Sequence, residues 1–204
     1  MTTKTLSDAI AEVKALVGDD DLDPAFITDA LNHALADLAP VLRLEAAPVT
    51  LAVTVGKADY TSADSLPTED DLVEIHTART GDDEEPLREI PIADFTSTGF
   101  KWWNGTLTIQ PAPTGSGALK LWYYRFPALL NVNSLGDHLD LPKRWERLPI
   151  LFAAGETQAQ AEELDDEDDF MGQYLRGRAL CDQVTSRRAG RKKLSVARKV
   201  REWY

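Results

Sequence analysis

Residues 102–127 read WWNGTLTIQPAPTGSGALKLWYYRFP, and strand, turn and flank signals coincide in this stretch. Two runs in which apolar and polar residues alternate, 106–110 and 118–125, are separated by a segment rich in proline and glycine. Alternation of this kind is typical of half-buried strands, and proline with glycine supplies the reversal between them. The stretch therefore predicts a β-hairpin.

The period of two along a strand divides the side chains of this predicted hairpin between two faces. The buried face would hold Leu107, Ile109, Leu119, Leu121 and Tyr123. The opposite face would hold two large aromatic residues together with three polar ones: Trp122, Tyr124, Thr106, Thr108 and Lys120. Two such rings side by side require a cover, either an overlying helix of the same chain or a neighbouring subunit.

Two helices are predicted before the strands. The first begins at Leu6 behind Thr5 or Ser7 as N-cap and ends at Gly18, which suits the left-handed conformation of a C-cap. The second begins after Asp23 with proline at the first helical position, and the proline at position 40 is expected to end it. Its apolar stripe comprises Phe26, Ile27, Ala30, Leu31, Ala34, Leu35 and Leu38.

The middle of the chain predicts short strands rather than helices. Residues 49–55 alternate up to Gly56, and residues 72–80 form a second alternating run. A short third strand is expected at 86–90 and a helical turn at 92–95. With the two arms of the hairpin, this gives about five short strands between residues 49 and 127.

Two further helices are predicted after the hairpin. In the first, residues 141–164, Pro149 requires either a kink or a short turn before the helix restarts. The second presents one apolar face, after which Ala189 and Gly190 are expected to break it. That face comprises Phe170, Tyr174, Gly177, Cys181 and Val184.

The predicted fold class is α+β. An antiparallel bundle of about four helices carries an inserted antiparallel β domain and an extended C-terminal tail, which suits a chain of 204 residues with one domain or one domain and an insertion. The expected boundaries are 1–45 for the first bundle helices, 46–130 for the β domain, 140–188 for the last helices and 189–204 for the tail.

The charge of the chain is divided unequally along its length. Residues 1–170 contain 12 Lys and Arg against 32 Asp and Glu, a net charge of −20, whereas residues 171–204 contain 10 against 2, a net charge of +8. An acidic body repels nucleic acid, and a basic tail seeks an anionic surface. With one cysteine and no apolar run long enough to cross a bilayer, we expect a soluble chain that is not secreted, with no disulfide and no membrane partner.

No pattern of residues points to catalysis, to a metal or to a cofactor. His33, His76 and His138 lack partners at ligand spacing, and Cys181 lies on an apolar helix face. The glycines at 114–117 open a strand instead of a helix and lack the ending of a phosphate-binding loop. The sequence therefore predicts neither an enzyme nor a cofactor-dependent protein.

The order of the motifs along the chain resembles that of the head-to-tail adaptor proteins of tailed bacteriophages. The motifs are GKADY at 56–60, LP at 66–67, LVEIHTAR at 72–79, GTLTIQPAP with LKLWYYRFP, LPKRW and LFAAGETQAQ. The resemblance spans residues 5–184. It implies a structural virion protein at the head-tail junction, assembled as a ring, commonly twelvefold, below the portal. Such a ring bridges the portal to a stopper or tail-tube (nozzle) protein and lets DNA pass without specific binding.

The same resemblance implies that the C-terminal segment reaches the portal. The residues expected to bind it are Arg191, Lys192, Lys193, Arg198, Lys199, Arg201, Trp203 and Tyr204. The two aromatic residues would be anchors and the basic residues would steer association. Contacts between subunits are expected at Trp122, Tyr124, Trp102 and Trp103.

The alternative function is nucleic-acid binding by the basic C-terminal arm. It predicts binding of free DNA that weakens steeply with salt. The acidic body opposes it, and no aromatic residues alternate with the basic cluster as stacking platforms.

Overall fold

The computed structural model describes residues 3–68, 71–80, 86–94, 96–160 and 169–201, with the backbone alone for Gln160 and residues 187–201. The chain folds into two compact units, called here the helical unit (Met1–Leu42 with Pro127–Tyr204) and the β unit (Arg43–Phe126). The helical unit contains α1 (Leu6–Val17), α2 (Pro24–Leu42), α3 (Arg147–Gln160) and α4 (Phe170–Arg201). The β unit contains β1 (Leu44–Glu45), β2 (Val49–Val53), β3 (Asp59–Tyr60), β4 (Leu72–Thr80), β5 (Gly99–Trp103), β6 (Thr106–Gln110) and β7 (Gly117–Arg125).

The expected mixture of helices and antiparallel strands is confirmed. The number of strands was underestimated, because the part of the chain that the structure describes contains seven instead of about five. β1 and β3 are only two residues long, too short for an alternating pattern to be detected in the sequence.

The first helix is confirmed at both of its ends. The Thr5 hydroxyl accepts the backbone N–H of Asp8, and the Asp8 carboxylate accepts the backbone N–H of Thr5, each at 3.1 Å. These reciprocal bonds form a capping box. Gly18 follows α1 with a φ of 76° and donates its N–H to the Lys14 carbonyl at 2.9 Å, which is the expected left-handed C-cap.

The second helix begins where it was predicted and ends later. The Asp23 side chain accepts the backbone N–H of Ala25 at 2.9 Å and so caps α2. The expected end at Pro40 is wrong, since α2 continues to Leu42. Burial of Val41 and Leu42 stabilises the last turn despite the missing N–H of the proline, and the positive φ of Arg43 ends the helix.

Pro149 lies in the first turn of α3. The first N–H groups of a helix have no partner within it, so a proline there removes no hydrogen bond. A single 3₁₀ turn, Lys143–Trp145, precedes the helix. Of the two alternatives for this proline, the short turn before a restart is confirmed and the kink is not.

The last helix is longer than expected. The predicted break at Ala189 and Gly190 is wrong, and so is the extended tail up to Arg201, because the backbone of α4 is helical throughout Phe170–Arg201. Alanine is the best helix former and a single glycine costs only about 1 kcal/mol, which the flanking helix formers tolerate. The predicted apolar face is confirmed where Phe170, Tyr174 and Cys181 are buried.

The predicted hairpin between 106–110 and 118–125 is wrong, although both strands exist. β6 pairs with β5 and β3 in a three-stranded sheet, whereas β7 pairs with β1, β2 and β4 in a four-stranded sheet. The actual hairpin joins β5 to β6 through Asn104 and Gly105, with φ values of 49° and 70°. Both residues are left-handed, as a two-residue turn of type I′ requires.

The core of the β unit combines the inner faces of the two sheets. Leu107 and Ile109 of β6 are buried in the same cluster as Leu119 and Leu121 of β7, and Tyr123 packs against it. The predicted buried face is therefore confirmed, because the period of two assigns faces correctly whatever strand lies alongside. Only the partner strands were assigned wrongly.

The region between β4 and β5 contains less regular structure than expected. The predicted strand at 86–90 forms single bridges only, from Leu87 to Ala78 and from Glu89 to Phe100. A turn follows, in which the backbone N–H of Asp94 donates to the Pro91 carbonyl at 2.9 Å. Phe95, the last residue of the expected helical turn, lies outside the described residues.

Candidate assembly surfaces

The outer face of the four-stranded sheet is rich in aromatic and basic side chains. Trp122 and Tyr124 project from β7 on the side away from the core, and both are half-buried. On β4, Thr77 lies opposite Trp122 and Arg79 lies opposite Lys120. Directly opposed residues in an antiparallel pair share a face. The predicted aromatic surface therefore includes Lys120, which the alternation along the strand placed there, and Arg79, which sequence reasoning did not associate with it.

Cations flank the ring of Trp122. The guanidinium carbon of Arg79 lies 5.7 Å from the ring centroid, and the Lys120 Nζ lies 5.5 Å from it. Charges at this distance from an aromatic face are attracted by its quadrupole. Trp122 is thus partly covered by side chains of its own unit.

Tyr124 is flanked in the same way. Its ring stacks on that of His76 with centroids 4.6 Å apart, and the Arg43 guanidinium lies 6.0 Å from its centroid. Glu45 and Glu74 lie opposite Tyr124 on the adjacent strands, and both are exposed. This end of the face therefore carries charges of both signs.

The two tryptophans of β5 lie on opposite faces of their sheet. Trp102 packs against the core cluster of the β unit, as its position opposite Leu107 requires. Trp103 points away from the core and is 65% exposed, next to the Asn104 turn. Of the two, only Trp103 offers a largely free ring to a partner.

The residues predicted to bind the portal lie on the last turns of α4 or beyond them. The backbone is helical at Arg191, Lys192, Lys193, Arg198, Lys199 and Arg201. Trp203 and Tyr204 lie outside the described residues. Thr185 makes the most C-terminal described contact between α4 and α2, where its hydroxyl donates to the Val41 carbonyl at 2.8 Å. The helix then continues over residues 186–201, about 24 Å at 1.5 Å per residue.

A polar cluster fixes α4 on α2, and sequence reasoning missed it. The Tyr174 hydroxyl donates to the Asp37 carboxylate, and the Arg178 Nη2 donates to the same carboxylate at 3.2 Å. Burial raises the pKa of Tyr174 well above its usual value, and the hydrogen bond to Asp37 raises it further. The cluster holds the helix whose C-terminal part extends past Thr185.

Comparison with known proteins identifies the family of this chain. A family model described as SU10 adaptor protein matches residues 4–198, nearly the whole chain. The chain belongs to the SU10 adaptor protein family. This is a family of phage head-to-tail adaptors, so the resemblance found in the sequence is confirmed. Comparison with curated proteins gave no match.

As an SU10 adaptor protein, the chain is a structural component of a phage virion at the head-tail junction. The family implies a neck complex that contains portal and tail proteins. The part of the chain that the structure describes has no helix long and apolar enough to span a membrane.

The structure shows the surroundings of His33, His138 and Cys181, which the sequence had raised as candidates. His33 Nδ1 is 3.9 Å from Glu156 Oε2, and His138 Nδ1 is 3.0 Å from the Thr3 carbonyl oxygen. Burial raises the pKa of the Cys181 thiol, which disfavours the thiolate needed of a nucleophile. Within the described ranges, no three His, Cys, Asp or Glu side chains cluster as metal ligands would.

Proposed function

We propose that this protein forms a ring, twelvefold in symmetry, directly below the portal of a tailed phage. The ring extends the DNA channel of the portal and bridges it to a stopper or tail-tube protein. In each subunit the helices form an antiparallel bundle and the β unit is an insertion into it. Membership of a family of head-to-tail adaptors supports this assignment.

The segment that binds the portal, called here the portal hook, is the C-terminal part of α4 together with residues 202–204. The single observation that carries this assignment is the continuation of α4 beyond Thr185, where its described contact with α2 ends. This part of the chain is basic, with 8 Lys and Arg against 1 Glu over residues 186–204. A basic helix that ends in Trp203 and Tyr204 combines electrostatic steering with aromatic anchors.

The acidic body suits a conduit for DNA. Residues 1–170 hold 32 Asp and Glu against 12 Lys and Arg. A wall of this charge repels phosphates and keeps the duplex from adhering during packaging and ejection. DNA would therefore pass through the ring without specific binding.

The proposed contacts between subunits involve Trp122, Tyr124 and Trp103. These rings remain partly or largely accessible on outer faces of the β unit. Trp102 contributes from beneath by packing on the core, so it would position Trp103 through their shared strand. Aromatic residues in such places are typical of interfaces in obligate assemblies.

A truncation after Gly190 tests the portal hook. The shortened chain should fold normally, because the cut lies beyond the last described contact of α4 with α2 at Thr185. It should no longer attach to purified portal rings of the same phage. Cosedimentation with portal and imaging of decorated rings measure attachment, and circular dichroism measures folding.

Lys143→Glu is the control for this truncation, because it changes an exposed basic residue of the helical unit outside the hook. It should attach normally, whereas attachment of the full chain should weaken as salt increases. A truncated protein that still decorates portal rings would contradict the assignment. Tight, salt-sensitive binding of free DNA by the full chain would favour nucleic-acid binding instead.

A further inference from the structure

We infer that the outer face of the four-stranded sheet binds the acidic first part of the helical unit, residues 3–42, in a second copy of this chain. The face is defined by Arg43, His76, Arg79, Lys120, Trp122 and Tyr124, and is called here the cationic face. This inference rests on the proposed ring and names the chemistry of the contact between its subunits. The contact is heterologous, since two different surfaces meet, and such contacts close into rings.

The strongest observation concerns the guanidinium of Arg79. Its guanidinium lies over Trp122, and no carboxylate pairs with it among the described residues. Its Nε is buried and has no hydrogen-bond partner in that part of the chain. A partly desolvated cation of this kind is costly, and a carboxylate from outside the unit would offset that cost.

The surroundings of Arg79 reinforce its charge. Lys120 lies opposite it on β7, and both cations approach the same indole ring. Arg43 adds a third cation at the other end of the face, over Tyr124. The aromatic rings between them supply apolar contact area that a partner can bury.

The complementary surface is present on the same polypeptide. Residues 3–42 contain eight Asp and Glu against two lysines, Lys4 and Lys14. Both lysines are engaged within the unit, Lys4 by the Glu12 carboxylate and Lys14 by the Asp20 carbonyl. The exposed carboxylates of this segment are those of Asp8, Asp19, Asp20, Asp21, Asp23 and Asp29, whereas that of Asp37 pairs with Arg178 of the same chain. Every copy of the chain therefore carries both the cationic face and an acidic surface that complements it in charge.

Nucleic acid is the less suitable occupant of this face. Glu45 and Glu74 lie opposite Tyr124 on the same face and are exposed, so they would repel a phosphate backbone. The β unit as a whole also carries more acidic than basic residues. The face carries charges of both signs. A protein surface with some basic groups can complement both, whereas a phosphate backbone carries only negative charge.

Zero-length cross-linking between isotopically distinct copies tests the inference. Unlabelled and ¹⁵N-labelled full-length chains are mixed, with and without portal rings, and treated with a water-soluble carbodiimide that joins a lysine amine to a carboxylate. Mass spectrometry should find mixed-isotope links from Lys120 to acidic residues within the segment 3–42. Lys143, exposed on the helical unit, is the internal control and should give such links at least about tenfold less often.

Substitutions then test the charge of the face. The double variant Arg79→Glu with Lys120→Arg reverses the charge at position 79 and keeps a positive charge at position 120. Because it has no lysine at the site for cross-linking, its association is measured by the sedimentation coefficient of the portal-bound assembly. This variant should lose at least about tenfold in subunit association, whereas Arg88→Glu, at an exposed basic residue of the same unit, should not. Circular dichroism establishes that each variant is folded.

The outcomes that overturn the inference are distinct. Lys120 links found only within single chains, or absent both with and without portal, exclude the contact between copies. Binding of a labelled DNA duplex that Arg79→Glu abolishes would assign the face to nucleic acid. Neither result bears on the portal hook, whose cosedimentation with portal is measured separately by truncation after Gly190.

Discussion

Tyr174 is only 1% exposed, yet its hydroxyl donates to Asp37, a carboxylate that is itself partly exposed. Helical periodicity placed Tyr174 on the buried face of α4, and the structure confirms it. The same periodicity gave no means of finding Asp37, which is 137 positions away in sequence and lies on another helix. A sequence pattern assigns a residue to a face, but the polar group that it meets depends on how two helices are packed.

Tyr174→Phe tests this cluster. The substitution keeps the ring and removes one hydrogen bond to a charged acceptor, so the free energy of unfolding should fall by about 1 kcal/mol near neutral pH. Urea denaturation measures it. Tyr123→Phe is the matched control, because the Tyr123 hydroxyl has no hydrogen bond within the described residues, and it should change the stability little.

The pH dependence of this cluster has a definite sign. The pKa of Tyr174 is raised above its ordinary value of 10.0, so the folded protein keeps the phenolic proton after the unfolded chain has lost it. The stabilisation is therefore fully present below pH 10.0 and is lost as the pH rises above it. A difference between the wild type and Tyr174→Phe that stays constant into alkali would contradict this account.

At the scale of elements, the local signals for helix starts were accurate, whereas the proline and glycine signals for the ends of α2 and α4 and the pairing of strands were not. α1 has the predicted cap and the predicted end, because Thr5 and Gly18 act within one turn of their own positions. β6 and β7 were correctly placed but wrongly paired with each other. Pairing depends on contacts that are distant in sequence, although Asn104 and Gly105 did carry a strong local signal for the true hairpin.

Gly99→Ala tests the junction between β5 and the segment before it. A Cβ at Gly99 would lie 2.0 Å from the Arg88 carbonyl oxygen and 2.9 Å from the Ile90 Cγ2. The Arg88 carbonyl oxygen belongs to the backbone, so it cannot move away without disrupting the neighbouring bridge between Glu89 and Phe100. We expect a loss of about 3 kcal/mol in the free energy of unfolding, measured by chemical denaturation.

Gly117→Ala is the matched control for Gly99→Ala, since nothing lies within 4 Å of a Cβ built there at the start of β7. It should leave the stability unchanged or raise it slightly, because alanine restricts the unfolded chain more than glycine does. Equal effects of the two substitutions would mean that the close approach at Gly99 is relieved without cost.

For the whole molecule, the sequence showed that the first part of the chain is acidic and the last part basic. It did not show on which surfaces the charged side chains lie. Composition alone separates the acidic residues 1–170 from the basic remainder. The gathering of Arg43, Arg79 and Lys120 on one face of the β unit requires three strands to be aligned. The candidate surface was therefore predictable in Trp122, Tyr124 and Lys120, which alternate along one strand. Arg43 and Arg79 were unpredictable there, because strand order and register decide which other charges become neighbours.

Acid should destabilise the protein as a whole. Hydrogen bonds from the Thr5 side chain and backbone lower the pKa of Asp8, and bonds from Lys57 and the Thr61 backbone lower that of Asp64. Bonds from the Ser97 side chain and from the backbone of Thr96 and Ser97 hold the pKa of Asp94 far below its usual value of 3.8. Lowered pKa values stabilise the folded state above pH 3.8, and this stabilisation is lost as the pH falls further.

Asp94→Asn isolates one of these carboxylates. The variant should be less stable than the wild type near neutral pH, and the difference should shrink as the pH falls below about 3.8. Thermal unfolding followed across an acidic pH series measures it. Asp29→Asn, at an exposed residue of α2, is the control, and a difference for Asp94→Asn that grows in acid would reverse the expected sign.

The pairing of β1 with the end of β7 has a consequence for the two ends of the β unit. Leu44 lies opposite Arg125, so the chain enters and leaves the β unit through two neighbouring strands, with Cα atoms about 5 Å apart. Any segment that begins and ends with two paired strands has closely spaced ends, which can be joined to Leu42 and Pro127. A segment of different size in place of residues 43–126 would therefore meet the chain at the same two points, after Leu42 and before Pro127.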